Sequence, residues 1–172
     1  MRSEARRRAG GTIAVTLIVI AVTVVGCSPR PQEPVLGRGK GMVTCVQKDQ
    51  GFSVTLRSQP EQVGPGGEFS LTLTVRNLSG KPREFVIPTA QEYEFRAFVR
   101  GGNEVWRYGR GAVFAQVVTT VGFQPGDDQV FKLGWSTQGV PPGEYTVDGY
   151  FMGLPEVRPA VPVAITPQQA SL

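Results

Sequence analysis

Apolar and polar side chains alternate along most of the chain from residue 52 onward. The alternation is clearest in residues 52–56 and 69–75, where Phe, Val or Leu at every second position is separated by Ser, Thr or Arg. A period of two places the apolar side chains on one face of a β-strand. The pattern therefore predicts half-buried antiparallel strands. It recurs in further segments, namely 83–87, 92–99, 104–108, 112–120, 129–135, 144–152 and 158–165.

Turn-forming residues separate the predicted strands. Gly, Pro, Asn and Asp cluster in 59–67, 77–82, 100–103 and 124–128, and these residue types favour chain reversal. No segment after residue 26 shows helical periodicity over a useful length. About eight or nine short strands in a domain of this size indicate an all-β fold, an antiparallel immunoglobulin-like β-sandwich. A small β-barrel is the alternative.

Residues 91–126 contain a predicted hairpin rich in aromatic side chains. Tyr93 and Phe95 share one strand face because they are two residues apart, and Gly101-Gly102-Asn103 favours the positive φ angles of a tight turn. We interpret the aromatic residues as core and the turns as the better place for contact with a partner. The candidate partner-contact residues are Arg100, Gly101, Gly102, Asn103, Arg107, Tyr108 and Arg110.

The N-terminus has the layout of a signal peptide, which we assign to residues 1–26. Three arginines at 6–8 precede an apolar run whose strongest part is 13–25, too short for a comfortable membrane span. Val24-Val25-Gly26-Cys27 resembles the lipobox of bacterial lipoproteins, in which the cysteine is acylated. The sequence therefore predicts lipidation at Cys27 and a lipid-anchored position on the extracytoplasmic face of the cell membrane or envelope. An uncleaved N-terminal anchor and a soluble secreted form are the alternatives.

Residues 27–50 lack sustained periodicity and contain several prolines and glycines, so they predict a lipidated flexible tether. Cys45 is then expected to be an inert or partly exposed thiol within this tether, and a strand at 43–46 is only a weak expectation. The folded domain is expected at 51–166, followed by a C-terminal tail at 167–172.

Charge and composition exclude several functions. The net charge is +4, but three of these charges belong to the predicted signal peptide, so the remainder offers little attraction for nucleic acid. The chain has no histidine, which excludes serine-histidine and cysteine-histidine catalysis. We therefore expect no enzyme activity, no metal site and no cofactor.

An ordered set of motifs resembles the intracellular proteinase inhibitor (BsuPI) family. It comprises Asn77, Gly80, Gln91-x-Tyr93-x-Phe95, Val105-Trp106-Arg107, Phe114-x-Gln116, Pro125-Gly126, Trp135 and Pro141-Pro142-Gly143-x-Tyr145-x-Val147. The resemblance implies an immunoglobulin-like domain, in a family with members that inhibit serine proteases and many members of unknown role. Its motif residues are expected to be structural: Tyr93, Phe95, Trp106, Phe114, Trp135, Gly143 and Tyr145.

Together these observations predict a membrane-anchored extracytoplasmic binding module with a protein partner. The sharper hypothesis is a proteinase inhibitor that acts on a serine protease through surface loops. Arg107 or Arg110 would suit the primary specificity position of a trypsin-like protease. The alternative is a structural or assembly lipoprotein of the cell envelope with no inhibitory activity.

Overall fold

The alternating segments form the strands of a two-sheet sandwich in a computed structural model of the chain, which describes residues 32–39 and 41–167. Its strands are β1 (Gln32–Gly39), β2 (Met42–Asp49), β3 (Phe52–Gln59), β4 (Gln62–Val63), β5 (Glu68–Asn77), β6 (Arg83–Ile87), β7 (Tyr93–Val99), β8 (Glu104–Arg107), β9 (Thr119–Phe123), β10 (Asp128–Ser136), β11 (Gly143–Phe151) and β12 (Ala160–Ile165). The predicted signal peptide at 1–26, Cys27 and most of the predicted tail lie outside the described residues.

Two five-stranded sheets face each other. Sheet 1 has the order β1-β2-β3-β5-β10 and sheet 2 the order β4-β12-β11-β7-β8, while β6 and β9 pair as a separate ribbon. All pairings in these sheets are antiparallel except β4 with β12. In the described part of the chain both large sheets are open and end in edge strands, so the sandwich is confirmed over the barrel.

Aromatic side chains fill the space between the sheets. Phe52 of sheet 1 meets Phe123 of the ribbon edge to face at 5.3 Å between ring centroids. Phe85 of the ribbon meets Phe151 of sheet 2 in the same way at 5.4 Å. Such edge-to-face pairs add to the stabilisation from burial itself. The ribbon therefore contributes to the same core as the two sheets.

The prediction of a flexible tether at 27–50 is wrong for the residues in β1 and β2. Strand β2 pairs with β3 from Val43 to Asp49, and Val43 and Cys45 point into the core with 0% and 2% of their surfaces exposed. The inward face of β2 has only two apolar residues between glycine-rich and charged neighbours, so its alternation was too short to stand out. Cys45 is a buried core residue, and burial raises the pKa of its thiol.

The predicted strand at 112–120 is also wrong in its first part. Strand β9 begins at Thr119, and residues 112–118 pair with no strand. The valines of this segment do not alternate between buried and exposed positions, since Val113, Val117 and Val118 are 98%, 59% and 65% exposed. Valine favours strands, but this segment has no neighbouring strand in the described structure with which to form a ladder.

Truncation of a β2 side chain distinguishes a core strand from a tether. We expect Val43→Ala to lower the free energy of unfolding by about 2 kcal/mol, because it removes buried methyl groups and leaves a cavity. Urea unfolding monitored by tryptophan fluorescence measures the change. Lys48→Ala, at an exposed position of the same strand, is the control and should change stability by less than about 0.5 kcal/mol. Equal stability of the Val43→Ala variant and the wild type would contradict the assignment of β2 to the core.

Candidate functional site

The structure places the candidate contact residues at opposite ends of the β7–β8 hairpin. Arg100–Asn103 form the turn that joins the strands, with φ angles of 110° at Gly101 and 96° at Gly102. Arg107 is the last residue of β8, and Tyr108 and Arg110 follow the strand. The four residues of β8 separate the two groups by roughly 13 Å along the strand. The predicted hairpin is confirmed, but its own turn at 100–103 and the turn that follows β8 at 108–110 form two separate surfaces.

Both predicted specificity arginines bind the same carboxylate. Arg107 Nη2 donates to Glu104 Oε2 at 2.7 Å, and Arg110 Nη2 donates to Glu104 Oε1 at 2.7 Å. The hydrogen bond from Arg107 is the main cause that lowers the pKa of Glu104, and the same hydrogen bond raises the pKa of Arg107. Each guanidinium is therefore committed to an intramolecular pair.

A buried carboxylate fixes the turn that follows β8. Glu94 is 4% exposed and accepts hydrogen bonds through Oε1 from the backbone N–H groups of Phe95 at 3.1 Å and Gly109 at 3.0 Å. The Gln91 amide donates to its other oxygen at 3.0 Å. A Cβ atom at Gly109 would lie 2.7 Å from that oxygen, so a larger residue at this position would displace the Glu94 carboxylate.

Two aromatic stacks join the hairpin to the opposite sheet. Tyr108 lies parallel to Tyr93 at 5.1 Å, and Tyr93 stacks on Phe131 of β10 at 4.8 Å. Burial, followed by the neighbouring Tyr108, raises the pKa of Tyr93 to about 12. Trp106 of β8 stacks on the fully buried Trp135 of β10 at 5.3 Å. The aromatic motif residues on these strands thus lie within or against the core.

The other aromatic motif residues are also in packed positions, whereas Gly143 is exposed. Phe95 is fully buried on β7. Tyr145 on β11 is 4% exposed, and its hydroxyl donates to the Pro141 carbonyl at 2.6 Å. Gly143 begins the same strand, and a Cβ atom there would contact the Tyr145 ring at 3.7 Å. Phe114 is half-buried and meets the edge of Tyr108 at 5.7 Å.

An ion pair on the outer face of sheet 2 holds β7 against β11. Arg96 Nε donates to Asp148 Oδ1 at 3.0 Å, and Arg96 Nη2 donates to Asp148 Oδ2. The hydrogen bond with Asp148 raises the pKa of Arg96. The guanidinium also lies 5.0 Å from the ring centroid of Phe98 and 5.4 Å from that of Tyr150. This arrangement supports the hairpin from outside the core.

Residues 108–118, which we call the 108–118 loop, connect β8 to β9. Backbone hydrogen bonds hold this loop on both sides of its exposed segment. At the first end the Tyr108 N–H donates to Phe95 O at 2.9 Å, and the Arg110 N–H donates to Arg107 O at 3.2 Å. At the second end the Ala115 carbonyl accepts from the Ala90 N–H at 3.0 Å. Between them, residues 111–113 are exposed, and Val113 is 98% exposed.

A shallow groove of about 410 Å³ lies near the other turn, and its lining includes Glu61, Arg100 and Glu144. Arg100 Nη1 is 3.7 Å from Glu144 Oε2, and the two side chains are 89% and 79% exposed. An ion pair this exposed contributes little to stability. The groove carries charges of both signs and does not indicate a particular ligand.

The described residues contain no group of three or more His, Cys, Asp or Glu side chains placed to hold a metal ion. None of residues 32–39 and 41–167 belongs to a helix that is long and apolar enough to cross a bilayer.

The sequence did not reveal Glu94 and Glu104 as residues that shape the site. Glu104 did carry a signal, since it follows Gly101-Gly102-Asn103 and stands three residues before Arg107, whereas Glu94 lies within a predicted strand and carried none.

Comparison with solved structures finds remote likenesses. A β-glucosidase from Listeria innocua in complex with glucose is 14% identical, with a TM-score of 0.43, over 67% of this chain and 16% of that one. A β-glucosidase from Erythrobacter marinus is 11% identical, with a TM-score of 0.41, over 63% and 14% of the two chains. The chain therefore spans about one sixth of these enzymes or less, and likeness this low transfers no activity.

A CARDB domain from Pyrococcus furiosus, in complex with di-metal ions, is 15% identical, with a TM-score of 0.37, over 65% of this chain and 87% of that one. Its low TM-score supports no argument about metal binding here. No curated protein sequence matches the chain.

A family match covers more than half of the chain. The profile described as intracellular proteinase inhibitor (BsuPI) matches residues 53–156, which run from β3 to the segment between β11 and β12. This span includes all the motif residues and both turns of the hairpin. The chain belongs to the intracellular proteinase inhibitor (BsuPI) family.

Proposed function

We propose that this chain is a non-catalytic proteinase inhibitor, anchored by a lipid on Cys27 at the extracytoplasmic face of a membrane. The family supports inhibitor-like function and a protease as partner. The basic and apolar N-terminus followed by Val24-Val25-Gly26-Cys27 supports export and lipidation. The family's description is intracellular, so an exported member would act on a different, extracytoplasmic protease.

The fastened 108–118 loop is the observation that carries the proposal. Proteases bind their substrates as extended chains, through backbone hydrogen bonds and pockets for side chains. A loop held in its bound conformation loses little conformational entropy on binding, which increases affinity. Hydrogen bonds at Arg110 and Ala115 hold this loop on both sides of its exposed segment. The loop thus offers a protease a short segment that is already ordered.

The ion pairs at Glu104 add to this ordering. Glu104 is 16% exposed as a side chain, while Arg107 and Arg110 are 40% and 62% exposed. The Glu104 carboxylate therefore joins β8 to the first end of the loop through Arg110, while Arg107, at the end of the same strand, binds its other oxygen. Because the arginines are partly solvated, we expect the cluster to stabilise the loop modestly.

Titration against a protease panel tests inhibition directly. The purified chain from residue 28 onward keeps all twelve strands and should inhibit at least one subtilisin-like, elastase-like or trypsin-like protease at micromolar concentration or below. Initial rates with a chromogenic peptide substrate give the inhibition constant. Heat-unfolded protein is the control, because a substrate that merely competes would act equally well when unfolded. Absence of inhibition across the panel would contradict the proposal. Crosslinking in membranes would then show whether a non-protease envelope protein is the partner.

Replacement of the shared carboxylate should loosen the loop. We expect Glu104→Gln to lower the free energy of unfolding by about 1 kcal/mol at pH 7, since the arginines lose a charged partner. Inhibition should weaken in the same variant. Glu144→Gln, which alters the exposed pair with Arg100, is the matched control and should have little effect on either property.

The difference between wild type and Glu104→Gln should depend on pH. The folded protein has a lowered Glu104 pKa, so the contribution of this group to stability is present above the ordinary glutamate pKa of 4.5. That contribution is lost as pH falls through the lowered pKa of the folded state. Urea unfolding from pH 7 down to pH 3 should show the two proteins converge at the acid end. A constant difference across this range would contradict the pairing.

Substitution of the predicted lipid-bearing cysteine tests anchoring. Cys27→Ala should abolish metabolic labelling with a fatty-acid analogue and should release the protein from the membrane fraction. A lipid anchor depends on acyl chains, each of whose buried methylenes contributes about 0.8 kcal/mol. Cys45→Ala is the control, because it also removes a thiol but should leave labelling intact. Unchanged labelling of Cys27→Ala would contradict lipidation.

A further inference from the structure

We propose that the 108–118 loop binds its protease in the manner of a substrate, with Val113 in the primary specificity pocket. The partner is then a serine protease whose pocket accepts a small β-branched aliphatic side chain, as in elastase-like enzymes. This inference rests on the proposed inhibitory function and names the residue and the class of protease.

Val113 is the most accessible large apolar side chain among the residues described. It is 98% exposed, compared with 70% for Val86 and 65% for Val118. Its exposed neighbours towards the first end of the loop, Gly111 and Ala112, are too small to fill a specificity pocket. Burying a valine side chain contributes about 1.5–3 kcal/mol. A pocket that covers Val113 would therefore gain most of what this segment can offer.

The backbone around Val113 is free to pair with a protease. The chain runs from Ala112 to Val118 without a turn, a bend or a partner strand. Within the part of the chain that the structure describes, no hydrogen bond involves Gly111, Ala112 or Val113. An unpaired extended segment can add to the edge of a substrate cleft as a short strand. Residues 111–113, the apex of the loop, thus supply both the backbone groups and the side chain that such a cleft recognises.

The arginines are less suited to this role than the sequence suggested. Arg107 and Arg110 each donate to Glu104 at 2.7 Å. Withdrawal of either guanidinium into a protease pocket would leave the Glu104 carboxylate, only 16% exposed, with fewer partners. Breaking a partly buried ion pair in this way opposes binding. The geometry therefore favours Val113 over the trypsin-like specificity that Arg107 or Arg110 would provide.

The contacts that hold the two ends of the loop explain how a loop that binds like a substrate inhibits the protease. Hydrolysis of the Val113–Phe114 bond adds one water molecule and leaves a carboxylate on Val113 and an amine on Phe114. The new carboxylate on Val113 stays close to Arg110, which is held by Glu104. The new amine on Phe114 stays in place because the Phe114 ring packs on Tyr108 and the next residue, Ala115, is hydrogen-bonded to Ala90. Because neither end can leave readily, the bond can reform with loss of the same water, and the protease remains occupied.

Exchange of the Val113 side chain tests this inference. Val113→Arg should weaken inhibition of an elastase-like protease about 100-fold or more and should create inhibition of a trypsin-like protease. Val113→Asp should weaken inhibition of whichever protease the wild type inhibits by a similar factor. Val117→Arg, a substitution at an exposed valine beyond the Ala115 fastening, is the matched control and should keep the wild-type profile. Unfolding midpoints equal to that of the wild type would show that all three variants are folded.

The outcomes separate this inference from the function on which it rests. If the wild type inhibits a protease and the Val113 variants inhibit it equally well, the role of Val113 is overturned and the inhibitory function stands. If the wild type and every variant inhibit nothing in the panel, both fail. Mass spectrometry after long incubation gives a second readout. A single cut between Val113 and Phe114 supports the inference, and a first cut elsewhere in the loop contradicts it.

Discussion

Stacking of aromatic rings between the β7–β8 hairpin of sheet 2 and β10 of sheet 1 is the interaction on which the candidate site depends. Trp106 of β8 lies on Trp135 of β10, and Tyr93 of β7 lies on Phe131 of the same strand. These contacts fix the hairpin against the opposite sheet, and Tyr108 extends the second stack to the start of the loop. The loop is therefore positioned by the core, although its own apex touches none of it.

Two carboxylates, in addition to the aromatic rings, determine the conformation of the turn after β8. Glu94 receives backbone hydrogen bonds inside the turn, and Glu104 receives two guanidinium groups outside it. The first is possible because Gly109 leaves space for the carboxylate. Buried side-chain oxygens such as those of Glu94 are stable only when hydrogen-bond donors reach them. The polar residues of the hairpin thus determine loop conformation, while the apolar residues determine where the hairpin lies.

The sequence predicted the architecture well because alternation reports directly which strand face is buried. Strands such as β3 and β5 have long inward-facing apolar sets, and they were predicted to within three residues at each end. Strand β2 was expected only weakly, as a strand at 43–46 within a tether, because Val43 and Cys45 alone mark its inward face. In 112–118 the error was the opposite one, since valines typical of strands occupy a segment that pairs with nothing. Pairing depends on which strands become neighbours, and local composition does not contain that information.

The candidate site was predicted in part. The turns around 100–103 and 108–111 could be predicted from the glycines and the neighbouring aromatic residues. The convergence of Arg107 and Arg110 on Glu104 could not be predicted. That convergence depends on the backbone folding back after β8, where the Arg110 N–H bonds to Arg107 O. Val113 likewise becomes distinctive only through its exposure, which tertiary packing sets.

The burial of Cys45 makes the thiol an internal reporter of opening in sheet 1. Its side chain faces the core from β2, beside the buried Leu56 of β3. A thiol in an apolar interior stays protonated and out of reach of reagents, so it reacts only when the surrounding strands separate. The rate at which an alkylating reagent modifies Cys45 in the native protein is therefore a measure of the free energy of that opening, obtained without denaturant. This chain thus carries a natural probe of its own local unfolding, at the strand that the sequence had placed outside the domain.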